Sequence, residues 1–356
     1  MKINFLSSAG RPGLYVSLAL AGLLFVNCSK DDDTPPTYDF EDQFEDLEEL
    51  ETVEDEDPEI TEPDTGGIEE SEKTTAIVAD LGDGSGDVSA ETQASLDAVE
   101  NFSAGFSTEA KAEADALDAN RAEEILNMTG LEGDLAAVAT SLEDAPAEVL
   151  ELLPSVDFGA DLETFSVFNE SVLKGFEGDF STKNTFSQSQ QSGPCFEAAQ
   201  EAYDEAMAPA ITKRQENIAT IEANYQRRLG EAEARTTSRQ ANVDTAYDTY
   251  FNSLLSGATN LINYADSIEG DSPALASNIR SFALIYLVQA SSNLTRWYNA
   301  ASQKLEDKEA VEKQTAEGLR DTRTAEVEAK FAAIKATADA KLTAASNNCH
   351  NQGSGS

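Results

Sequence analysis

From Phe196 almost to Asn348 the chain repeats apolar residues three and four apart, a spacing that commits it to long paired helices. Ile218, Ile221, Tyr225, Leu229 and Ala232 form one stripe. Val243, Tyr247, Tyr250, Leu254, Ala258, Leu261, Ala265 and Ile268 form the next. Leu294, Trp297, Ala301 and Leu305 follow, then Val327, Phe331, Ile334, Ala338, Leu342 and Ala345. The one strong break is "EGDSP" at 269–273, with Pro273 suited to the first position of a new helix. Cys195 and Cys349 lie equally far from Ser272 on either side, so a chain folded back at that break brings them together. The spacing predicts a disulfide-closed antiparallel hairpin over 191–349, each arm roughly 110 Å long at ~1.5 Å per residue. The bridge closes a long loop and is worth about 5 kcal/mol in the chain-entropy model.

Within the hairpin, Pro209 predicts a kink or a restart. "RTTSR" at 235–239 carries no apolar seam, which predicts the weakest packing near the middle of the rod. The run "FALIYLV" is apolar on every face but reaches only ~10 Å as a helix, too short to cross a bilayer. It reads as a buried segment on which the middle of the chain, or a second copy, packs. Phe282, Leu284, Ile285, Tyr286, Leu287 and Val288 are therefore the candidate partner contacts.

Charge is unevenly spread. The net charge is -43, and residues 31–73 hold 21 acids against the single base Lys73, whereas the hairpin is close to neutral. Such an acidic front repels polyanions, which excludes nucleic acid and a bare anionic membrane as partners. Residues 28–88, rich in proline and like charge, read as a disordered acidic tether that cannot offset its ordering entropy. Tyr38, Phe40, Phe44, Leu47 and Leu50 are interleaved with the acids and could serve a recognition segment, but a solvated spacer is the favoured reading. "DLGDGSGDVS" at 80–89 lacks the oxygen spacing of a calcium loop.

Upstream of the tether, Lys2 and Arg11 precede 13 uncharged residues, Leu14–Val26, the pattern of a secretory signal over 1–27. Cys28 ends that run in "VNCSKDDD". The cysteine resembles the lipobox cysteine of bacterial lipoproteins, although "FVN" departs from the strict pattern, and "CSKDDD" resembles the surface-export signal of Bacteroidota lipoproteins. The resemblance covers about the first 33 residues and implies lipidation (diacylglycerol and palmitate) on Cys28, with the protein held in the outer membrane and exposed at the cell surface. Acyl chains anchor by burying methylenes at ~0.8 kcal/mol each.

Residues 89–190 predict a helical, Phe-rich domain. Ser89 starts a helix, "TEAKAEADALDANRAEEILNM" (108–128) reads as a second, and two short helices flank Pro146. Phe158, Phe165, Phe168, Phe176, Phe180 and Phe186 should dock on the neighbouring helices. A catalytic constellation is absent from the pattern. The single histidine, His350, stands beside Cys349 in the tail 350–356, and there is no zinc-ligand spacing, phosphate loop or nucleophile elbow. The expectation is an all-α, non-enzymatic surface lipoprotein, with no metal and no cofactor beyond its lipid. It would act as a structural or adhesin-like rod that binds another protein or a second copy of itself. The alternatives are an accessory subunit of an outer-membrane transport or secretion machine, and a membrane-active helical-hairpin toxin.

Overall fold

The computed structural model describes residues 38–82, 88–161 and 193–351. In chain order these hold α1 (Glu41–Phe44), β1 (Gly67–Glu69), α2 (Glu72–Leu81), α3 (Ala90–Ser103) and α4 (Thr108–Asp115). Then come α5 (Ala119–Leu126), α6 (Gly133–Leu142), α7 (Ala147–Leu150), β2 (Ser155–Asp157), α8 (Pro194–Ile268) and α9 (Pro273–Asn351). Helices account for 76% of the described residues, so the all-α expectation holds.

α8 and α9 are the two arms of the antiparallel hairpin, and facing pairs keep step along its whole length. Cys195 meets Cys349 with sulfurs 2.03 Å apart. Tyr203 donates to Asp339 (2.8 Å), Arg214 forks onto Glu328, and Arg235 donates to Glu312 (3.0 Å). Tyr250 packs edge-on to Trp297 (centroids 5.0 Å), and Arg280 reaches Asp266 (2.7 Å) beside the turn. α8 runs through Pro209 as one helix. Of the apolar stripes, Ile221, Ala232, Val243, Leu254, Ala258, Leu261 and Ala265 are buried on α8, and Leu294, Trp297, Ala301, Leu305, Val327, Ile334, Ala338 and Ala345 on α9.

The head is built by the short helices α2–α7, of which α2–α5 are started by side-chain caps. Ser71, Ser89, Ser107 and Asp118 accept from the amides of Thr74, Thr92, Ala110 and Arg121. The Asp118 cap explains a departure from the sequence reading: 108–128 is two helices, because Asp118 restarts the chain after Leu117 turns inward. The head packs on the turn-proximal hairpin, where Phe282 through Val288 are all fully buried in its core. Of the two expected packing partners of this run, the middle of the chain covers it, so these side chains are buried within the chain rather than offered to a second molecule. A run apolar on every face is covered on every face, here by α8 and by head helices from the same chain. Leu96, Val99, Ile125, Leu126, Val138, Val149 and Leu152 belong to this core. Phe158 is the described member of the Phe series, with Arg296 5.4 Å from its ring centroid. Phe165, Phe168, Phe176, Phe180 and Phe186 lie outside the described residues.

The largest departure concerns the acidic stretch. Residues 38–69 are not a free tether but lie along the hairpin, and 72–81 form α2 of the head. Tyr38, Phe40 and Phe44 pack at the disulfide end, against Cys195, Ala199, Ala345 and Cys349. Leu50 sits among Met207, Ile221, Val327 and Ile334. Trp297 Nε1 donates to the Thr65 carbonyl (3.0 Å). From Phe44, edge-on to Tyr203, to Thr65, near Tyr250, the strap must cover about 70 Å of helix, which its residues manage only when almost fully extended at ~3.3 Å each. It ends in a ribbon in which β1 pairs antiparallel with β2 (Ile68 opposite Val156). Gly66 (φ 63°) and Gly159 (φ 68°) let the chains touch there, since a Cβ on Gly66 would lie 2.2 Å from the Asp157 carbonyl oxygen. Lys304 closes the ribbon from below by donating to the carbonyls of Asp64, Phe158 and Ala160.

Candidate functional site

The strap is held by polar side chains of α8 that stand beside the apolar stripe at 218–232 and in the 235–239 stretch, which carries no apolar seam. Asn217 clamps it as a peptide mimic, its Nδ2 donating to the Glu51 carbonyl (2.8 Å) and its Oδ1 accepting from the Val53 amide (3.4 Å). Asn224 donates to Asp55 (2.9 Å). Arg228 is buried in place of its neighbour Leu229. Its guanidinium donates to both Asp55 carboxylate oxygens (2.9 and 3.2 Å), to the carbonyls of Asp55 and Glu56, and to Asp57 (2.9 Å). Side-chain exposure is 5% for Arg228 and 3% for Asp55, so this pair is out of water and unscreened.

Farther along, Arg239 joins strap and both helices. Nε donates to Glu62 (2.7 Å) and Nη1 to Glu312 (2.9 Å), which also takes Arg235. Lys308 donates to Thr61 (3.1 Å). The Arg239 guanidinium holds the Glu62 carboxyl below its usual range, and Arg227, with Arg228 second among the cations, does the same for Asp57. "RTTSR" is therefore an ionic seam between three chain segments. Spacing searches tuned to apolar residues miss it. The detectable signal was Asn217, Asn224, Arg228, Arg235 and Arg239 falling at seam positions, four and seven apart, opposite an acid-rich segment.

Cys195 and Cys349 are joined at the far end, where α1 caps them. Burial, then the Asp339 hydrogen bond, pushes the Tyr203 hydroxyl well above its usual pKa. Phe282, Leu284, Ile285, Tyr286, Leu287 and Val288 lie at the opposite end, inside the core. Cys28, the candidate lipid site, lies outside the described residues, as do residues 83–87 of the 80–89 segment considered for calcium. Among the described residues no cluster of acids, cysteines or histidines could hold a metal, and no helix is long and apolar enough to cross a membrane. The hairpin, the strap and the head define a class: a strapped helical rod with a helical head at its turn. No family model, curated protein or solved structure matches the chain.

Proposed function

We propose that the protein is a lipid-anchored, non-enzymatic rod that carries its head away from the outer membrane to bind another protein. The direction of the strap carries this reading. The strap enters at the disulfide end and runs toward the head, so residue 38 is at the base. It lies only ten positions after Cys28, the residue whose setting resembles a lipobox, a span of at most about 35 Å. A lipid on Cys28 would thus hold the disulfide end close to the membrane. The head would stand about 100 Å beyond it, given ~1.5 Å per residue along α8. Self-association through the head would serve the same architecture. The burial of 282–288 beneath head helices favours this reading over a membrane-active toxin, which would present an apolar tip.

Photo-crosslinking on whole cells tests the polarity. Leu150 in the head and Ile211 toward the base are exposed apolar side chains, 44% and 42%, and suit replacement by a photoreactive residue. Position 211 should capture resident outer-membrane components, position 150 should capture a protein distant from that membrane, and Cys28→Ser should release the chain. Identical captures from both positions, or a membrane-bound Cys28→Ser chain, would overturn the reading.

A further inference from the structure

Where the head meets the hairpin, α8, α9 and the α5–α6 loop enclose a cleft of about 470 Å³. Its back is a corner of two tyrosine rings, Tyr247 and Tyr298, with centroids 5.3 Å apart and planes at 74°. Tyr298 is fixed by its hydroxyl, which donates to Asp244 Oδ1 (3.0 Å) and accepts from Gln240 Nε2 (3.2 Å), while Gln240 also donates to Asp244 (2.9 Å). Asp248, one turn after Asp244 on the same face, lines the cleft, and its carboxylate accepts no hydrogen bond among the described residues. Thr129 and Asn299 stand at the rim, and no lysine or arginine lines the cleft.

We propose that this cleft binds an organic cation of side-chain size, an ammonium or guanidinium group. The T-shaped ring pair leaves an angle in which a compact cation meets an exposed ring face, whose quadrupole attracts its charge. A sugar, in contrast, prefers one flat open platform, which this corner is not. Asp248 supplies the countercharge, and Asp244 is already used in holding Tyr298. The field is negative before any ligand arrives: burial and then the Asp248 charge raise the Tyr247 hydroxyl pKa, and the chain carries -43 overall. The inference concerns a different surface from the proposed anchoring and stands without it.

Calorimetry and ligand-observed NMR on the full chain test it with N-acetyl-arginine amide, spermidine, the neutral isostere N-acetyl-citrulline amide, and glucose. The cations should bind saturably and more weakly as salt rises from about 20 to 200 mM, and the neutral probes should not bind. Asp248→Asn should weaken cation binding about tenfold without disturbing the fold, since its carboxylate holds nothing. Tyr247→Ala should weaken it at least as much. Preference for the arginine amide identifies the source as a partner's side chain, and preference for spermidine a free polyamine; either supports the site. Absence of cation binding, equal binding of citrulline or glucose, or undiminished binding by the folded Asp248→Asn chain would overturn it.

Discussion

Arg228→Met offers the sharpest test of the strap. The guanidinium makes five hydrogen bonds to residues 55–57, three of them to carboxylate oxygens, and it shares its burial with Asp55. Removing one member of a buried ion pair costs about 3–5 kcal/mol, because the survivor stays out of water without its countercharge. Asn224 still donates to Asp55 and Arg227 to Asp57, which places the cost near the lower limit, about 3 kcal/mol. That free energy falls on strap detachment rather than on global unfolding, because the hairpin keeps its own seam and bridge. The population with a free strap should rise on the order of 100-fold. Limited digestion by a Glu-specific protease reads this population, since cleavage at Glu51, Glu54, Glu56, Glu59 or Glu62 requires the strap to leave its groove. Arg228→Met should be cut about 100-fold faster in this segment, and Arg228→Met/Asp55→Leu should return to within about tenfold of the parent, because an apolar pair leaves no orphaned charge. Equal cleavage rates for Arg228→Met and the parent would show that the strap is held elsewhere and refute the account.

Three further outcomes follow from the same contacts. Cys195→Ser/Cys349→Ser removes a loop closure worth about 5 kcal/mol in the chain-entropy model and should expose the α1 platform first, seen as faster hydrogen exchange at 195–206 than near the turn. Asp57 and Glu62 have lowered pKa values in the fold, so their contribution is complete above the unfolded carboxylate values and lost as pH falls through the folded ones. The single tryptophan, Trp297, bonded to Thr65, should then red-shift its emission below about pH 4, and an unchanged spectrum at pH 2 would count against strap release. The Tyr286 hydroxyl is buried without a partner among the described residues and would lie 3.1 Å from a Cβ added to Gly257. Tyr286→Phe should therefore stabilise by about 1 kcal/mol, and Gly257→Ala should gain its helix-propensity benefit only in that background, as measured by thermal unfolding.

The hairpin was legible because its signal is local and repeated: the stripe, the 269–273 break and the two cysteines each follow from neighbours in sequence. The buried run at 282–288 was legible as apolar on all sides, yet only the three-dimensional arrangement identifies what covers it. The strap was illegible for a definite reason. Composition measures the cost of ordering residues 38–66 as an isolated chain, and by that measure the segment stays free. Its stabilisation comes from Arg228, Arg239 and Lys308, far along the sequence, and neither partner looks buried when scored alone. The 108–128 break escaped for a smaller reason: Asp118 reads equally as a solvated helix residue or as a cap, and only the inward turn of Leu117 decides.

The ionic seam also accounts for the register of an Ala-rich hairpin. Small seam residues such as Ala232, Ala301 and Ala338 pack nearly as well one heptad out of step, so apolar burial alone discriminates poorly. Arg239 and Glu312 do discriminate. A slip of seven residues would separate a guanidinium 7% exposed from a carboxylate 3% exposed, leaving Arg239 only its Glu62 contact and the buried Glu312 without Arg235 or Arg239, at about 3–5 kcal/mol. The Arg280 contacts to Asp266 and Glu269 fix the turn, and the bridge fixes the base. The middle is therefore the part whose register rests on charge. With the bridge reduced, Arg239→Ala/Glu312→Ala should yield inter-arm cross-links a heptad out of step alongside the native ones. Native cross-links alone would show that the turn sets register over the whole rod, and that the buried charges serve only to hold the strap.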